Sequence, residues 1–207
     1  VQQKILSIDF NRSDGKSLIP LEIADKIEYK FPNVTLSTFP ISAMIARIYV
    51  QENQYDKAIE LAHFANKVNP YIQYPNFLLG KIYQQKMVID SAGYYLGKAY
   101  HNLPKNKLHQ TSYLEHLVQI NQKDSVLSVF NKISKNKDVI QWRFFLIHLN
   151  TNKTYEKKFK DSIFSLSLKH FPKDQVIKNN YKNYFIGIDN IKKAEEIAKI
   201  AKDMDIL

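Results

Sequence analysis

Apolar and small residues fall in the same phase every 34 residues along most of this chain. Counting Phe39 as the first position, the seventh, eighth and eleventh places hold Ile45, Ala46 and Tyr49, and the twentieth, twenty-seventh and thirty-second hold Ala58, Ala65 and Pro70. One period later the same places hold Leu79, Gly80, Tyr83, Ala92, Ala99 and Pro104. Spacings of one, three and four residues share one stripe of a helix, so each period predicts two helices that bury one face each. Small residues at Ala46, Gly80, Ala58 and Ala92 let two backbones approach, and Tyr49 and Tyr83 fill the groove beside them. Pro70, Pro104 and, in the fourth period, Pro172 sit where the second helix stops.

The frame runs on without insertion. Periods start at Phe39, Gln73, Lys107, Gln141 and Gln175, giving repeats over 39–72, 73–106, 107–140, 141–174 and 175–207. The third carries Tyr113, Leu114 and Leu117, then Val126, Phe130 and Ile133. The fourth carries Ile147, Phe164 and Pro172, with Lys160 where a small residue is expected. The fifth carries Tyr181, Phe185, Ala194, Ala198 and Ala201, with Lys182 at the small eighth place. Residues 1–38 form a separate amino-terminal segment. Residues 18–31 read as a helix ended by Pro32, with Leu21, Ala24, Ile27 and Phe31 on one face. Residues 1–10 suit a helix, a short strand or a linker equally. Residues 191–204 predict a polar-faced terminal helix that caps the array.

The order Leu-Gly-x-x-Tyr, then Ala, Ala and Pro at these spacings resembles the tetratricopeptide repeat (TPR), a helix–turn–helix unit. The resemblance implies an all-α, right-handed TPR-like helical solenoid of about five repeats after a divergent amino-terminal half repeat. It also implies a protein-binding scaffold that is not an enzyme. More loosely, residues 55–62, Asn69 to Tyr71, Leu78 to Tyr83, Asp90 to Ala92 and Leu103-Pro104 resemble TPR tails of bacterial envelope proteins, including those on O-antigen ligase-like membrane proteins. That likeness implies an extracytoplasmic tail near a membrane, and an alternative role as accessory module of a glycan-assembly enzyme. The first residue, Val1, suits a fragment or a mature form.

Charge and composition narrow the partner. The chain has 207 residues and a net charge of +10, which favours an acidic protein or peptide. Of its 30 basic residues only Arg12, Arg47 and Arg143 are arginine. Lysine lacks the planar fork that reads phosphates and guanine, so nucleic acid is the weaker alternative. No apolar run reaches the roughly 18 residues of a spanning helix. The absence of cysteine excludes disulfides, thiolate metal sites and thiol nucleophiles, and suits cytosol and periplasm alike. The six histidines form no His-Glu-x-x-His pair, and no glycine-rich phosphate loop or Gly-x-Ser-x-Gly is present. No catalytic residue, metal or cofactor is therefore expected.

The candidate binding residues lie at the second, fifth and ninth places of the first helices, which face the inner groove of a TPR array. They are Tyr74 and Phe77, Trp142 and Phe145, and the cations Arg47 and Lys81, with Gln84 nearby. Tyr and Trp combine apolar area with a polar tip, as partner-binding surfaces favour. For Trp142 and Phe145 core burial competes, because residues 141–150 are apolar nearly all round.

Overall fold

The computed structural model describes residues 2–11, 16–31, 33–187, 192 and 195. The expected stop at Pro32 and, apart from Lys192 and Glu195, the terminal helix over 191–204 with Ala194, Ala198 and Ala201 lie outside the described residues. Among the described residues there are eleven α-helices, a one-turn 3-10 helix and no strand beyond a single bridge between Val34 and Pro40. The chain separates into two compact units, Val1–His109 and Gln110–Leu207.

The first unit holds α1 (Gln2–Phe10), α2 (Leu21–Ala24), α3 (Ile41–Gln51), α4 (Tyr55–Val68), α5 (Tyr74–Gln85) and α6 (Ile89–Asn102). The next helix, α7 (Lys107–Gln119), starts at its end. Pro40 precedes α3 and Pro75 occupies the first turn of α5, where a missing N–H costs nothing. The core is built from Ile41, Ile45, Ile48, Leu61, Leu79 and Ile82, all at most 2% exposed. Helix α3 is buried on nearly every side, because α1, α2, α4 and α5 all pack on it.

The second unit holds most of α7, then α8 (Lys123–Ile133), the 3-10 turn Ser134–Asn136, α9 (Val139–Thr151), α10 (Lys157–His170) and α11 (Gln175–Ile186). Its core is more aromatic. Phe130 stacks on Phe145 with ring centroids 3.7 Å apart and meets Trp142 edge-on at 5.0 Å. Phe164 stacks between Tyr181 and Tyr184, at 5.5 and 4.7 Å. Asp138 and Asp174 cap α9 and α11 by accepting backbone N–H bonds from their first turns.

The period is visible in the backbone. Helices α4, α6, α8 and α10 begin at Tyr55, Ile89, Lys123 and Lys157, 34 residues apart each time. The turns that precede the first three contain Asn53, Met87 and Asn121, all left-handed at φ of 57°, 57° and 55°. In each turn the next N–H reaches back across the helix end: Gln54 to Tyr49, Val88 to Tyr83 and Gln122 to Leu117, at 2.9, 2.9 and 3.0 Å. This is the Schellman closure, which satisfies carbonyls that the helix leaves open.

Three local expectations are corrected. The helix expected over 18–31 is only the single turn Leu21–Ala24. Beyond it Asp25 accepts the Tyr49 hydroxyl, and Glu28 Oε1 accepts from the Lys30 N–H at 2.7 Å. Such side-chain bonds fix a turn in competition with helix. Residues 1–10, left open between three forms, are helical over the described part, Gln2–Phe10. Ile147, expected on the core face, is exposed while its neighbour His148 is 1% exposed. Helix α9 begins at Val139, two residues before the expected period, and its apolar sequence fits more than one rotation.

Lys160 shows how an out-of-pattern residue is tolerated. It occupies the small place of its helix pair, yet is only 8% exposed. Its ammonium donates to the Asn152 carbonyl at 2.6 Å, which supplies a partner inside a low-dielectric setting. Burial holds its pKa below the ordinary lysine value.

Candidate functional site

Helix α5 carries the candidate surface of the first unit. Tyr74, Phe77 and Lys81 stand three and four residues apart, so they share one face. All three are half-buried. Tyr74 does not act alone. Its ring lies 5.0 Å from Phe10, 5.5 Å from Phe39 and 5.6 Å from Phe77. Phe77 in turn stacks on His109 at 6.1 Å. Five rings thus form one row, from Phe39 and Phe10 through Tyr74 and Phe77 to His109. Burial pushes the Tyr74 phenol up to about 12 against the opposing pull of Arg47. The hydroxyl therefore stays protonated and able to donate at any neutral pH. Burial lowers the pKa of His109, which keeps its ring neutral beside Phe77.

Arg47 is placed differently from expectation. Its Nη2 pairs with Asp9 Oδ2 at 2.7 Å and bonds the Asp9 carbonyl at 3.1 Å, while Nη1 reaches the Phe10 carbonyl at 3.2 Å. Its guanidinium also lies 4.8 Å from the centre of the Phe10 ring. The charge is balanced and both terminal nitrogens are engaged, while Nε is buried without a partner, so Arg47 fastens α1 to α3. The same tether continues through Asp9, which accepts from the Ser17 hydroxyl and the Leu18 N–H, both at 2.7 Å. Gln51 closes it by exchanging two bonds with the Ser17 backbone, at 2.8 and 3.1 Å.

Trp142 and Phe145 are also corrected. They are 2% and 0% exposed, packed on Phe130, and present no area to a partner. The nearly all-apolar sequence of α9 is the physical reason. Gln84 is half-buried near the end of α5, one turn beyond Lys81. Among the described residues no group of three or more His, Cys, Asp or Glu is placed to hold a metal ion.

Sequence reasoning missed Phe10, Phe39 and His109 as members of the row. Phe39 and His109 sit in the repeat frame, but neither falls at a groove place. Phe10 lies outside the frame and gave no signal at all.

Comparison with solved structures decides the architecture. The structure of MamA from AMB-1 superposes with a TM-score of 0.56 at 14% sequence identity, covering 76% of this chain and 86% of that one. The fold is a TPR-like helical repeat. MamA shares the pairing of helices rather than the sequence, since identity is far below the level that carries function. No family model and no curated protein matches the chain. Among the described residues no helix is long and apolar enough to cross a membrane.

Proposed function

We propose that this chain is a non-enzymatic interaction scaffold whose first unit binds a segment of a protein partner on the aromatic face of α5. The observation that carries the reading is the ring row that passes through Tyr74 and Phe77, both half-buried on α5. Preorganised rings offer contact area at little entropic cost, and Tyr74 adds a polar tip. Lys81 on the same face and the net charge of +10 support an acidic segment as the partner. A TPR-like fold supports the reading further, because stacked helix pairs build extended binding faces.

The test is affinity capture followed by titration of the captured partner with wild type, Phe77→Ala and Tyr94→Ala. Tyr94 is an exposed ring on α6 and serves as the control. Phe77→Ala, once circular dichroism confirms its fold, is expected to lose about 1 kcal/mol or more of affinity, with Tyr94→Ala unchanged. Equal capture by Phe77→Ala and wild type overturns the assignment.

A further inference from the structure

The second unit contains a cleft of about 560 Å³ where the end of α9, the start of α10 and the end of α11 meet. That volume lies in the range of sites for small ligands. Three lysines line it, Lys153, Lys157 and Lys160, and among the described residues no Asp or Glu does. Lys160 is buried, and the bond to Asn152 uses one of its three ammonium N–H groups. Asn150 bridges to Asn180 by donating to its backbone and side-chain oxygens at 3.1 and 3.2 Å, while its own Oδ1 is buried without a hydrogen-bond partner. The Tyr184 hydroxyl is fixed by Asp161 Oδ1 at 2.8 Å, which turns that carboxylate to a structural use. Lys157 is also the first residue of α10, so the positive end of that helix faces the same region.

We propose that this cleft binds a small organic anion, through a phosphate or carboxylate held by Lys153, Lys157 and Lys160. A buried ammonium with unused donors is stabilised by an anion that completes its hydrogen bonds, and its desolvation strengthens the attraction. The site stands whether or not the α5 surface binds a partner.

The experiment titrates the full chain with glycerol 3-phosphate, glycerate and glycerol, reading backbone amide shifts of Asn150, Lys157, Lys160 and Asn180. Saturable shifts are expected with at least one anion and none with glycerol. The anion that saturates at lower concentration distinguishes the phosphate source from the carboxylate. Lys160→Met should weaken binding about tenfold. The double variant Lys153→Gln/Lys157→Gln changes only exposed side chains, so it should keep the fold and weaken binding similarly. Linear shifts that never saturate, an equal response to glycerol, or wild-type affinity in the folded double variant would each overturn the proposal.

Discussion

A Cβ placed on Gly80 of α5 would lie 2.5 Å from Leu96 Cγ and 3.0 Å from the Leu96 backbone N on α6. Real carbon atoms do not approach so closely, so this helix pair is set at its spacing by the absence of a side chain. Gly80→Ala should therefore destabilise despite the better helix propensity of alanine, by about 1–3 kcal/mol. Urea unfolding is the measurement. A variant as stable as wild type would mean that α6 shifts freely, contrary to the packed Leu96, which is 1% exposed.

Met87 occupies a left-handed turn position that Asn takes at the two equivalent sites, Asn53 and Asn121. A non-glycine residue there costs about 1 kcal/mol, and the Met87 side chain is exposed, so its loss removes little packing. Met87→Gly is expected to raise stability by about 0.5–1 kcal/mol, seen as a higher melting temperature. A lower melting temperature would show that the Met87 side chain contributes contacts that outweigh the strain.

The Arg47–Asp9 pair tethers α1, with side chains only 12% and 7% exposed. Removing one partner strands the other charge, whereas removing both does not. Asp9→Ala should cost about 3 kcal/mol and expose the α1 amides to hydrogen exchange. Asp9→Leu/Arg47→Met should cost markedly less. Equal losses in the single and double variants would locate the stabilisation elsewhere.

His148 is buried, with Nε2 3.2 Å from the Tyr155 hydroxyl and Nδ1 without a partner. Burial first, then the charge of Lys160, lowers its pKa from the ordinary 6.5. The unfolded chain takes up a proton near that value and the folded chain only at lower pH. The stability held by neutral His148 is thus present above about pH 6.5 and lost as pH falls through the lowered value. His148→Gln should flatten the slope of stability against pH below 6.5 relative to wild type, measured by urea unfolding across pH 4.5–7.5. An unchanged slope would assign the acid loss to other groups.

Within the described residues, the sequence by itself determined the helix pairs from α3 to α10, their 34-residue spacing and most of their contact residues, Ile147 being an exception. Ala58, Ala65, Ala92 and Ala99 are all 0% exposed, and Gly80 sits against Leu96 as its phase required. Helix periodicity and turn closure are local, so a single chain records them in residues a few places apart. The candidate site was legible only in part. Tyr74 and Phe77 came from their phase, but phase alone could not separate an inner face open to partners from one already covered. Phe10 and Arg47 on the one hand, and Phe130 against Trp142 and Phe145 on the other, were decided by contacts between residues far apart in sequence. The cleft of lysines and asparagines has the same origin: Asn150, Lys160 and Asn180 belong to three helices, and only their packing brings a buried ammonium and an unsatisfied amide to one cavity.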